Sequence, residues 1–200
     1  MAAFFGNLRN VVIAGFVIAA IVYWALLGVP WDAAYASFFF RWLHVLSGVM
    51  WIGLLWYFNF VQTPSMPKIP DEQKPAVSKV IAPTALFWFR WAALATVVTG
   101  LILAWLNHFL VETLTLGLAG DAVRGHTALG IGMWFGLIMA FNVWFIIWPN
   151  QQKALGLVEA TADQKKEAAR VAGMASRFNT MLSVPMLYAM VSAQNIYGLP

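Results

Sequence analysis

The chain has 200 residues, 62% of them hydrophobic and 10% charged, with a mean hydropathy of +0.73, a composition that excludes an ordinary water-soluble domain and predicts an integral membrane protein. The formal net charge of +4 is modest and bears on membrane topology more than on nucleic acid, for which no binding is expected. Cysteine is absent, which excludes disulfides, iron–sulfur clusters, thiolate zinc sites and the attachment of a c-type heme, and leaves His, Met, Asn or carboxylate side chains as candidate cofactor ligands.

In chain order, the first apolar run is 10–29 (NVVIAGFVIAAIVYWALLGV). It is longer than an ordinary signal-peptide core and contains Trp24, so a retained, peripheral membrane span is expected. Next come 35–61, 84–106 and 126–148, each with the ~20 apolar residues a helix needs to cross a hydrocarbon core. A fifth segment, 178–197, contains Pro185 and several polar residues, and reads as a kinked span shielded by its neighbours. The charged, Ala-rich stretch 150–176 reads as a cytoplasmic amphipathic linker helix. The expected fold is therefore all-α, a single membrane domain over 1–200 with about five transmembrane helices.

Basic residues set the orientation. Arg9, Lys68, Lys74, Lys79, Lys153, Lys165, Lys166, Arg170 and Arg177 fall on one side of these spans and only Arg41 and Arg124 on the other, with Arg90 near the start of its helix on the first side. The positive-inside bias then puts the N-terminus in the cytoplasm and the C-terminus on the outer side of the membrane.

Two of the spans share a pattern. HVLSGVMWIGLLWYFN (44–59) and HTALGIGMWFGLIMAFN (126–142) both read His, three residues, Gly, then Met-Trp, one residue, Gly-Leu and finally Phe-Asn. The helices that follow are alike more faintly, through Arg90 and Arg177 and the pairs Thr96-Val97 and Ser183-Val184. His, Asn and Arg are costly in lipid, so their recurrence argues for duplication, with 35–106 and 126–197 as repeats about a pseudo-two-fold axis. Chance similarity between Gly/Trp-rich helices is the alternative.

Under duplication, His44 and His126 lie at comparable depth on facing helices, the arrangement a bis-histidine b heme requires. Arg41 and Arg124 would meet the propionates, and Gly48 and Gly130, one turn inward, would leave room for the macrocycle. Copper held by His44, His126 and His108 is a second possibility, and histidines that simply bond a neighbouring helix are a third. At the opposite ends of the helices, Asn59, Gln62, Arg90, Asn142 and Arg177 form a polar set able to grip a planar anionic or amide-bearing substrate. The competing reading has the arginines reaching lipid phosphate and the amides bonding between helices. By helix rise, Asn59 is ~22 Å from His44 and Asn142 ~24 Å from His126, so these are two sites. No residue stands out as a general base, and the catalytic residues stay unassigned.

The strings WLHVLSGVMWIGLLWYFNFVQTP, FWFRW, MAFNVWFIIWPNQQK and SRFNTMLSVPMLY resemble the N-terminal membrane domain of bacterial cytochrome-linked urate oxidases (urate hydroxylases). The resemblance runs from the second apolar segment onward. It implies an electron-transfer setting and a urate-like substrate, here in a short stand-alone form without the c-type cytochrome domain of that family. The expected function is thus a b-heme electron-transfer protein, oxidising urate or a quinol and passing electrons to a periplasmic cytochrome c. A non-catalytic accessory subunit of a larger membrane complex is the alternative, and a homo-oligomer is compatible with either.

Overall fold

The computed structural model describes residues 2–30, 32–119 and 123–199, and every regular element among them is helical. After a short turn at 2–5 the helices are α1 (Leu8–Ala25), α2 (Ala33–Lys68), α3 (Lys74–Leu106), α4 (Leu110–Leu114), α5 (Arg124–Ala154) and α6 (Ala162–Asn195). Four of them, α1, α2, α3 and α5, are long and apolar enough to cross a membrane.

The chain divides into two compact units, Met1–Phe39 and Phe40–Pro200. In the first, Asn7 caps α1 by accepting from the backbone N–H groups of Arg9 and Asn10, and Asp32 does the same for Tyr35 at the start of α2. Gly28, at a φ of +60°, supplies the left-handed turn between them. None of the residues from Leu8 to Ala20 is buried within the chain, and the exposed side chains there are mostly Val, Ile and Phe, the composition lipid accepts.

The second unit packs α2, α3, α5 and α6 around a core of Trp51, Leu55, Phe58, Phe89, Met139, Val143 and Ile147. Along α6 the pattern is inverted relative to a soluble bundle: apart from Met186 the buried residues are small or polar, Ala168, Ala172, Asn179, Ser183, Ala189, Ser192 and Ala193, while Phe178, Met181, Val184, Tyr188 and Val191 are exposed. Small residues let the α6 backbone approach α5 closely, and the polar ones find partners only on the inside, which is how helices associate in lipid.

The connections differ from the expectation in one respect. The segment 150–176 does not hold a separate linker helix: α5 continues to Ala154, and α6 then runs unbroken from Ala162 through Pro185 to Asn195. The strong start at Thr161, where a capping box with Gln164 satisfies two backbone donors, begins the helix well ahead of the apolar part. The remaining half-buried and buried small residues keep one face continuous across the charged and apolar halves, so no break is needed.

The spanning helices each include a π-type turn, at Ile21–Leu26 at the end of α1, Tyr57–Gln62 in α2, Val77–Ile81 in α3 and Asn142–Ile147 in α5. The turns in α2 and α5 contain Asn59 and Asn142, the asparagines that end the shared sequence pattern.

Candidate functional site

Where α2, α3, α5 and α6 converge near these wide turns they leave a cavity of about 160 Å³. Its floor is apolar: Phe58 and Phe89 meet edge to face at 5.6 Å, and Leu86 and Ile147 complete the surface. The rim is polar. Asn59, Gln62 and Thr63 come from α2, Ser78 from α3, Gln151 from α5, and Ser176 and Arg177 from α6. Arg177 is the one charged residue of the lining. An engineered apolar cavity of ~150 Å³ holds a benzene ring, so this space suits a small planar heterocycle and falls far short of a tetrapyrrole.

Three of the five predicted substrate-binding residues, Asn59, Gln62 and Arg177, therefore come together, and two do not. Asn142 is buried, and its Nδ2 donates to Asn179 Oδ1 at 2.8 Å while Asn179 Nδ2 donates to the Met139 carbonyl at 2.9 Å. This pair joins α5 to α6 and has no place in the lining. Arg90 lays its guanidinium over the Trp148 ring, 3.7 Å from the centroid, in a cation–π contact, and the Trp144 indole donates to the Arg90 carbonyl. The aromatic side chains next to Arg90 draw it onto α5 instead of into the cavity. Gln151 and Ser176 take their places. Their signal in the sequence is weak, since a Gln and a Ser near helix ends look like ordinary interfacial residues.

Asn59 is fixed. Its Nδ2 donates to the Leu55 carbonyl at 2.9 Å and to Ser176 Oγ at 2.8 Å, which orients the amide and joins α2 to α6. One turn earlier, the Trp56 indole donates to Ser183 Oγ at 3.0 Å along the same seam. Gln62 is different: its Oε1 is buried with no hydrogen-bond partner among the described residues. Outside the spanning segments, Lys74 and Arg170 hold the carboxyls of Asp71 and Glu167 below the usual range by hydrogen bonds, both in exposed i,i+3 pairs.

The predicted cofactor residues lie toward the other ends of the helices. His44 Nδ1 is 2.8 Å from the Thr96 carbonyl and its ring rests on Gly100, where a Cβ would come within 2.8 Å of the ring. A carbonyl only accepts, so Nδ1 carries the proton and, in the neutral ring, Nε2 keeps its lone pair. That is the state of a metal-binding histidine whose second nitrogen is held by the protein. His126 lies beside the ring of Phe109, at 5.9 Å between centroids, and its Nδ1 is buried without a partner among the described residues. Arg41 Nε is likewise buried without one, and Arg124 is exposed at the start of α5.

The glycines have a different reason for being there. A Cβ on Gly130 would come within 2.1 Å of the Thr113 carbonyl, so Gly130 admits α4; the Trp134 indole donates to the Leu114 carbonyl of α4 and the Thr127 hydroxyl to the Leu116 carbonyl just beyond it. Gly48 faces the Thr96 methyl at ordinary contact distance. Helix packing thus accounts for the close approach at Gly130, and the macrocycle slot expected there is filled by α4. His108 is exposed and adopts a φ of +59°, the left-handed conformation that ends α3 and starts the turn into α4. Among the described residues no three His, Cys, Asp or Glu side chains group to hold a metal, so His44, His126 and His108 do not form the three-ligand copper site.

The urate oxidase N-terminal family matches residues 118–199, a segment that includes α5 and α6. No curated protein and no solved structure matches the chain. The family resemblance read from the sequence is borne out over this segment, which carries His126, Asn142, Gln151, Ser176 and Arg177.

Proposed function

We propose that this chain is a membrane-embedded redox protein that binds urate, or a close relative of it, in the amide-rimmed cavity, with His44 and His126 as its candidate ligands for a b heme. The observation that carries the reading is the cavity: an aromatic floor, a rim of amides and hydroxyls, and one cationic side chain. A planar oxopurine anion would lie on Phe58 and Phe89, direct its polar edges to Gln62, Gln151 and Ser176, and place its negative charge toward Arg177. A quinol offers fewer polar edges to such a rim and no charge for Arg177.

His44 fits the role of heme ligand by its tautomer, and His126 by its buried, unpartnered nitrogen. A b heme bound there would accept and release single electrons, delivering them to a periplasmic cytochrome c. In this reading the cavity faces the cytoplasm, where the basic residues lie, and the apolar second half of α6 forms a fifth span. The letters shared by α2 and α5, from His44 to Asn59 and from His126 to Asn142, support a duplicated two-helix unit.

The test is urate binding to the whole chain in mild detergent by titration calorimetry. Arg177→Gln should weaken binding by about tenfold or more, the value of one hydrogen bond to a charged group. Absence of saturable urate binding by the folded wild-type protein would refute the assignment.

A further inference from the structure

Resting on the reading of the cavity just given, we infer that Gln62 is its specificity-determining residue, which recognises the lactam edge of a planar heterocycle through both ends of its own amide. The asparagines at this end of the bundle donate to protein partners. Asn59 spends its Nδ2 on Leu55 and Ser176, Asn142 and Asn179 bond to one another, and Asn150 donates to the Ile146 carbonyl at 2.8 Å. Gln62 lines the cavity, yet its Oε1 is buried without a partner and its side chain makes no hydrogen bond among the described residues.

Such a group is costly to keep in a membrane protein unless something else completes it. A primary amide has one acceptor end and one donor end, and a lactam has a carbonyl beside an N–H. The two can pair by two parallel hydrogen bonds, as glutamine pairs with the edge of adenine. Rotating the Gln62 amide by half a turn exchanges its ends without breaking any protein hydrogen bond. The pairing therefore works whichever way round the lactam enters. The position of Gln62 on the wide turn, beside the aromatic floor provided by Phe58, sets this edge-on reader next to a surface suited to the ring face.

A site built to satisfy hydrogen bonds rejects a ligand that leaves them unmade far more strongly than an apolar pocket rejects a missing methylene. Methylation of the recognised lactam nitrogen removes its N–H and adds bulk, so one N-methylurate should bind on the order of 10²-fold more weakly than urate, or worse. The experiment compares urate and the set of mono-N-methylated urates on the full chain in detergent, for wild type, Gln62→Met and Gln62→Glu. Methionine nearly matches glutamine in volume and makes no amide pair. Gln62→Met is expected to lose the discrimination between urate and that methylated isomer, and Gln62→Glu, with a carboxylate beside Arg177 and the anionic ligand, to bind urate more weakly. Without ligand, the thermal midpoint of Gln62→Met should equal or exceed that of wild type, because the change removes an unpartnered polar atom.

Urate binding with the wild-type discrimination retained in Gln62→Met would overturn the role of Gln62 and leave the cavity assignment standing. A marked fall in the ligand-free midpoint would also overturn it, as the sign of a structural residue. Failure of wild type to bind urate at all would overturn both.

Discussion

Gly130 and Gly136 are alike in the sequence, both buried glycines of one apolar helix, and opposite in what surrounds them. Gly130 leaves room for a backbone carbonyl that cannot move without α4, whereas a Cβ on Gly136 meets nothing within 4 Å. Gly130→Ala should therefore destabilise the protein by about 1–3 kcal/mol, the usual cost of overpacking. Gly136→Ala should be neutral or stabilising by up to ~1 kcal/mol, since glycine inside a helix costs conformational entropy. Thermal unfolding in detergent separates the two, and equal effects would contradict the packing described. The sequence showed that these glycines recur but not what they admit. A missing side chain carries no record of its neighbour, and Gly130 turned out to face a short helix that the apolar pattern did not reveal. His44 was legible as a residue needing a partner, because a buried ring in an apolar run must be bonded. That the partner is a carbonyl, from Thr96, became visible only once α3 was placed beside it.

At the level of elements, the seam between α5 and α6 depends on a buried amide pair. Asn179 is 0% exposed, donates to the Met139 carbonyl and accepts from Asn142. Asn179→Leu would strand the Asn142 donor and the carbonyl together, and should cost about 1–3 kcal/mol for each buried group left unsatisfied. Asn142→Leu combined with Asn179→Leu should cost less than the sum of the single changes, because neither amide is then left alone. Chemical denaturation of the four proteins measures this coupling, and strict additivity would argue against a shared bond. Both asparagines are legible as polar residues of the spans, but that Asn142 pairs across helices cannot be read from its position along one of them. Likewise α2, α3 and α5 were recognisable by length and hydropathy, with ends that differ by several residues where the wide turns extend the helices past the apolar run.

The whole molecule places two chemically different regions on the same helices. Gln62 follows His44 by 18 positions on α2, roughly 27 Å at the helical rise per residue, with the core of Trp51, Leu55 and Phe58 between them. The sequence conveyed this separation well, since helix rise converts residue number into depth. It conveyed the cavity less well: Asn59, Gln62 and Arg177 were identifiable as candidates, while Gln151 and Ser176 join them only through the way four helices meet. In the proposed reading, the cavity at one end takes electrons from a small molecule and the histidines at the other give them up.

The most direct test of that account is an absorption spectrum of the purified, oxidised protein, prepared from heme-replete cells and followed under anaerobic conditions as urate is added. The account predicts a b-type heme signal that becomes reduced on addition of urate and is lost in folded His44→Ala protein. A folded wild-type protein with no heme signal, or one whose heme urate leaves oxidised, would contradict it.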